Sequence, residues 1–407
     1  MDRTIALVSI ATLFNAVWAN TVVIALQIMF SEQVPDFYIA MFSTAFWTVI
    51  LFTSSIWGSI SDACGERKKF LQYSTGILIP LTVLYILTTN YWEILLLRIT
   101  TAVFSSAFGP LALAVITDVT PSEELGKKTS IYNTSNSIGF FISSQVISLI
   151  LLYFEFYYLF ILASIATLIM FISVSFIEKK QIKCESKPII QSIKDSLRIP
   201  GADFLKTNNG HYLTLALILR HTNIMGLFSL IYVYMLKIGI PDYMLPFLSS
   251  FNTLFQMIMM FFFGHLADKI GRKPLFMFGF ALSTSVPILF IFAKDPITIA
   301  ATFSILGISF SSLISGVSPF YRDIAPESRE AEALSFLNIT RSFGSIIGPI
   351  VAGIVVTFFD YEIMFMFLGV TCFIATLIAF KAEETLKRGC KSQIFPKSSV
   401  ESLFGEQ

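Results

Sequence analysis

The sequence predicts an all-α membrane protein of twelve transmembrane helices, arranged as two homologous six-helix bundles. Three observations carry that prediction. Of 407 residues, 55% are hydrophobic and 14% charged, whereas a soluble chain is nearer a quarter charged; the mean hydropathy is +0.74. Twelve stretches reach the length of about 20 apolar residues that a bilayer-spanning helix needs. The chain also repeats itself. Gly58-Ser-Ile-Ser-Asp62-Ala-Cys-Gly65-Glu-Arg67-Lys68 returns 206 residues later as Gly264-His-Leu-Ala-Asp268-Lys-Ile-Gly271-Arg272-Lys273. After a one-residue slip, Asp118, Pro121 and Gly139 fall on Asp323, Pro326 and Gly344. Self-similarity at a fixed offset marks one structural unit used twice.

In chain order, the first unit offers spans at Thr4–Phe30, Phe37–Ile60, Phe70–Thr89, Trp92–Ile116, Ser130–Tyr153 and Phe156–Phe176. Thr4–Phe30 is too long for the apolar core of a cleavable signal and has no small-residue cleavage site, so it reads as the first span. The second unit offers Tyr212–Leu236, Tyr243–Leu266, Leu275–Phe292, Ile297–Ser318, Ala333–Phe358 and Tyr361–Phe380. This divides the chain into a bundle over 1–176, a linker over 177–210, a bundle over 211–380 and a polar tail over 381–407. In the linker, Ile189, Ile190, Ile193 and Leu197 recur at helical spacing, which fits a short amphipathic helix at the membrane surface; a solvated linker fits equally.

Basic residues orient the chain, because Lys and Arg collect in cytoplasmic loops. With both termini inside, 23 of the 28 lie on the cytoplasmic side and only Lys237 and Lys294 on the other. A multi-pass protein of the plasma membrane with cytoplasmic termini is the expectation. The net charge of +1 argues against a nucleic-acid partner, and Cys64, Cys184, Cys372 and Cys390 form neither a disulfide framework nor a metal spacing. No phosphate-binding loop is present, so no nucleotide or other cofactor is expected.

The repeated motif ends the second and eighth spans. Gly58 and Gly264 would let neighbouring backbones approach, and Gly65 and Gly271 would supply the left-handed turn that stops a helix. Asp62 and Asp268 sit at helix C-termini, where the dipole disfavours an anion. They need an external partner, as a latch would.

Gly-x-Leu-Ala-Asp-x-x-Gly-Arg-Lys resembles the signature of the major facilitator superfamily between helices 2 and 3. The second copy matches it in full; the first has Ile60 and Ser61 for Leu-Ala and Glu66 where Arg is usual. Arg322-Asp323-Ile-Ala-Pro326 resembles the family's loop between helices 10 and 11. The resemblance implies a secondary transporter that moves a small solute by alternating access, with a proton or other ion as a conceivable coupling partner, working as a monomer. It implies gating roles for Gly58, Asp62, Gly65, Arg67, Asp118, Gly264, Asp268, Gly271, Arg272 and Asp323. Glu66 breaks the usual arginine–acid contact in the first half unless Arg67 takes that role.

Ionisable groups inside a membrane are expensive and mark function. Arg98 lies in span 4, Arg220 and His221 in span 7 and Arg341 in span 11, while no acid lies deep in any span. In the family, helices 1, 4, 7 and 10 line the cavity, so Asn15, Asn20 and Asn223 join these four as cavity candidates. Cations without buried anions favour an anionic or strongly hydrogen-bonding solute. The alternative is a multidrug efflux antiporter, but the Gly-Pro run of such proteins lies in helix 5. Here Gly344-x-x-x-Gly348-Pro349 lies in helix 11, where close helix packing is its simplest use. An enzyme or receptor finds neither a nucleophile constellation nor a soluble domain.

Overall fold

The computed structural model describes residues 3–178, 202–326 and 329–386. Twelve helices among them are long and apolar enough to cross a membrane. The first half comprises α1 (Arg3–Phe30), α2 (Asp36–Cys64), α3 (Arg67–Leu87), α4 (Tyr91–Val119), α5 (Ser122–Tyr153) and α6 (Tyr158–Ser175). The second comprises α7 (Gly210–Lys237), α8 (Met244–Ile270), α9 (Arg272–Phe292), α10 (Pro296–Ile324), α11 (Glu330–Phe358) and α12 (Tyr361–Ala379). The expected surface helix around Ile189–Leu197 lies outside the described residues. A 3₁₀ segment, Ala202–Asn209, leads into α7 through left-handed Asn208 and Asn209.

The repeat extends to the helix ends. Arg67 and Arg272 open α3 and α9, Asn90 and Asp295 cap α4 and α10, and Tyr153 and Phe358 close α5 and α11, each pair 205 residues apart. The caps are equivalent in detail. The Asn90 side chain accepts from the Trp92 and Glu93 N–H groups, and that of Asp295 from those of Ile297 and Thr298. In α2 and α8 the offset is still 206, so the slip is one residue, Glu66, which stands between Gly65 and the start of α3.

Repeated glycines set the packing within each half. A Cβ on Gly139 of α5 would strike the Leu13 carbonyl of α1, and one on Gly344 of α11 would strike the Ile218 carbonyl of α7. These contacts are backbone to backbone, which only glycine permits. In α4 the helix is broken at Ser106–Ala107, four residues before Pro110, whose ring excludes the regular bond to that turn. At the break the Ala107 N–H bonds the Phe104 carbonyl, and the Val103 carbonyl it leaves accepts from the Trp57 Nε1 of α2 at 2.7 Å.

Both ends of the described chain, with the α2–α3, α4–α5, α8–α9 and α10–α11 loops, define one face, here the termini face. The halves are joined at the opposite one. There Gly353 of α11 lets that helix lie on α2, an added Cβ falling 3.1 Å from the Phe37 Cα. Gln145 of α5 donates to Ser250 of α8 at 2.9 Å, and the Ser148 hydroxyl donates to the Tyr243 carbonyl.

Candidate functional site

At the termini face of the first half, Arg67 bridges two acids. Its guanidinium is 3.1 Å from Asp62 and 2.8 Å from Asp118. Arg272 meets Asp323 at 3.3 Å in the second half. The register explains why Arg67, not Glu66, is the equivalent of Arg272: with Glu66 extra in the loop, Arg67 becomes the first helical residue, where its side chain reaches the end of α4. The Asp268 side chain is outside the described residues.

Two glycines of the motif differ from expectation. Beyond its own stretch of helix, nothing lies within 4 Å of a Cβ built on Gly58 or Gly264, so neither makes a close contact with another helix. Gly65 is left-handed (φ 66°, ψ 17°) and its N–H bonds the Ser61 carbonyl, as a helix stop should. Gly271 has φ 107° and ψ 170°, a glycine conformation but not the left-handed turn.

Gly271 is shaped by a residue that nothing in the local pattern flags. The Glu384 carboxylate lies over it, accepting from the Arg272 and Lys273 N–H groups at 3.0 Å each and so capping α9 from the chain's other end. Thr385 donates to Asp323 at 2.8 Å, and the Lys273 ammonium to the Phe380 carbonyl at 2.8 Å. Burial raises the Glu384 carboxyl, but backbone N–H donors of Leu386, Arg272, Lys273 and Thr385 outweigh it and hold the group below its ordinary 4.5. A carboxyl held low contributes stability above its unfolded pKa that is lost as pH falls through the folded one. The clamp therefore holds at neutral pH and releases only below about pH 4.5. Glu384→Ala is expected to speed proteolysis after residue 380 several-fold at pH 7, the loss of a cap being worth about 1 kcal/mol; an unchanged rate would show that the clamp does not hold the segment.

The buried polar groups separate into clusters. Asn20 donates to Ser143 and Ser144 at 2.8 and 3.0 Å, tying α1 to α5 within the first half. Asn15, on the same helix, is partly buried and its Oδ1 has no protein partner. Arg98 is buried against the Phe46 ring, 3.8 Å from its centroid, with Nε and Nη1 unpartnered. Arg98 belongs to the first half, whereas the three candidates of α7 and Arg341 belong to the second. Arg220 is fully buried, its Nε donating to Ser283 at 2.8 Å and its guanidinium 4.5 Å from the Phe310 centroid. His221 Nδ1 bonds the Leu217 carbonyl at 3.1 Å, and fully buried Asn223 has neither amide atom paired.

Closure of the opposite face relies on residues outside the candidate set. Buried Asp36 at the start of α2 meets the Lys237 ammonium of α7 at 2.6 Å and the Tyr361 hydroxyl of α12 at 2.9 Å. The Gln27 amide donates to the Phe228 carbonyl at 2.9 Å and accepts from the Tyr232 N–H at 3.2 Å. It thereby sits across one i to i+4 step of α7. The recurrence of Pro35-Asp36 as Pro241-Asp242 was the available signal for Asp36; Gln27 carried only its polarity within an apolar span.

Two homologous six-helix halves, bonded to one another at the face opposite the termini and each with an arginine–acid cluster at the termini face, have the build of a secondary transporter of the alternating-access type. The chain belongs to the Major Facilitator Superfamily, whose model matches residues 7–241 and 213–406. It is 25% identical over 337 residues to an uncharacterized MFS-type transporter of Methanocaldococcus jannaschii, covering 79% of this chain and 83% of that one. Over a shorter stretch of 149 residues it is 27% identical to the quinolone resistance protein NorA of Staphylococcus aureus, covering 36% and 38%. Among solved structures, the nucleoside transporter NupG shares the fold at TM-score 0.77 with 14% identity, covering 93% of this chain and 99% of that one. So does a bacterial homolog of the human lysosomal transporter Spinster, inward-facing and unoccupied, at TM-score 0.72 with 12% identity and 93% and 98% coverage. The protein is a membrane-embedded transporter of small solutes, not an enzyme.

Proposed function

We propose that this transporter works in the plasma membrane with its termini face toward the cytoplasm, and that the structure is its cytoplasm-open state. The observation that carries this reading is the asymmetry of closure. Cross-half bonds of Gln27, Asp36, Gln145 and Ser148 lie at the face opposite the termini, while open space surrounds Gly58 and Gly264 at the other. The charge count supports the side, since most Lys and Arg fall on the termini face. In the alternate state the two motif loops approach each other, Gly58 and Gly264 lose their free space, and the opposite face parts. A small polar solute exchanges at the polar groups between the halves.

The test uses the full chain with its own cysteines replaced by serine. Cysteines introduced at Gly58 and Gly264 should react with an impermeant maleimide in inverted vesicles and be at least tenfold slower in right-side-out ones. Faster reaction from outside would overturn the orientation. Equal burial of both positions would overturn the state assignment. Asp62→Asn and Asp268→Asn are expected to change these rates while leaving the melting temperature unaltered.

Multidrug export is the second reading, favoured by the similarity to NorA. It predicts that lipophilic cations stabilise the protein, an outcome measured below.

A further inference from the structure

We infer that the second half holds a site for a compact anion, a carboxylate or phosphate group, between Arg220 of α7 and Arg341 of α11. This rests on the transporter reading and names the chemical class of its solute. Both arginines lie about 15 Å along their helices from the termini face, at mid-membrane depth. Their levels match because α7 and α11 cross in backbone contact. A Cβ on Gly344 would strike His221 and the Ile218 carbonyl, and one on Gly348 would strike the Thr222 carbonyl. The crossing therefore places the two arginines at one level of neighbouring helices.

The neighbourhood is rich in donors and lacks an acid. Arg220 is fully buried, yet its Nη1 and Nη2 have no protein partner, and Arg341 Nη2 is likewise buried and unpartnered. Asn223, one turn from Arg220 and fully buried, has a free amide. The groups around Arg220 are the Ser283 hydroxyl, the Phe310 ring and the Cys372 thiol; His221 and the Tyr321 phenol complete the titratable groups near the pair. No Asp or Glu pairs with either arginine among the described residues. A guanidinium keeps its charge at any physiological pH. An uncompensated charge of this kind is among the costliest things to bury, and two at one level of crossing helices cost more. A compact anion removes that cost, because parallel N–H groups match two oxygens of a carboxylate or phosphate. A cation or a neutral apolar solute would leave it in place. Arg341, the less buried of the two, is the member with which an entering solute would make its first contact.

The experiment measures thermal shifts of the full-length protein in detergent with benzoate, inorganic phosphate, benzamide and tetraphenylphosphonium. Benzoate or phosphate should raise the melting temperature saturably, by roughly 5 °C at high occupancy, and benzamide and tetraphenylphosphonium should not. Arg220→Met should abolish the anion response while leaving the ligand-free protein at least as stable, because it removes a buried unpaired charge. Arg220→Lys, which keeps charge and stem, should weaken the response at least tenfold by losing the planar fork. If Arg220→Met fails to fold, Arg220→Lys and Arg341→Gln decide by the same loss. Wild-type protein that ignores both anions, responds only to tetraphenylphosphonium, or keeps its anion response in the variants would overturn the inference. Vesicle labelling that alternates in a protein deaf to anions would leave the transporter reading standing and remove this one alone.

Discussion

Asp36→Asn is expected to move the population out of the state closed at the face opposite the termini, by about 5- to 30-fold. The carboxylate is 8% exposed and belongs to the first half, whereas Lys237 and Tyr361 belong to the second. The three therefore hold the halves together only in this arrangement. Hydrogen bonds to a charged group are worth about 1.5–3 kcal/mol, but the Lys237 side chain is 48% exposed and is readily re-solvated once freed. Discounting for that leaves roughly 1–2 kcal/mol, which is the stated population change. Asparagine keeps the shape and an acceptor for Tyr361, so folding should survive. Distances between spin labels on the α1–α2 and α7–α8 loops would report the change as growth of a longer component. An unaltered distribution would mean that packing of α2 on α11, not the charge pair, closes this face.

Gly348→Ala should lower stability by about 1–3 kcal/mol, the cost of forcing extra volume into a packed interior. The clash is with backbone, the Thr222 carbonyl and the Gly226 nitrogen, and backbone does not step aside as a side-chain tip would. The same change would also lift α7 off α11 beside Arg220 and Arg341, so anion response should fall along with the melting temperature. Gly58→Ala is the matched control. It lies in a helix with nothing within 4 Å of the new methyl, and alanine is the better helix former by up to about 1 kcal/mol. Its melting temperature should be equal or higher. If the two variants melt alike, the crossing is looser than the described contact.

Much of the architecture was readable from residue order. The twelve spans are where the apolar runs are, because a spanning helix is chosen by local hydropathy and length. The helix ends extend further than those runs. α2 continues to Cys64 and α5 begins at Ser122, since a helix persists past the apolar region wherever its polar residues reach water. The place of the slip was not readable. Offsets of 206 and 205 both fit the loop, and only the helix start at Arg67 identifies Glu66 as the added residue. The polar candidates were found by type, but type does not give direction. Asn20 faces Ser143 inside its own half, Arg98 sits over the Phe46 ring, and Arg220 reaches toward α9 and α10.

By itself, then, the sequence determined the class, the span count, the twofold build and the likeness of the two loop motifs. These follow from composition and from self-similarity, which are properties of residues and their chain neighbours. Only the tertiary structure decided which residues act together. Arg67 with Asp118, Arg220 with Ser283, Asp36 with Tyr361 and Glu384 with the start of α9 are separated by 51, 63, 325 and 112 residues. Each pairing exists because the fold brings together segments that the chain keeps apart. Where helices cross, as α11 does on α2 and α7, glycines let the backbones touch, and no local pattern records which backbone will lie opposite.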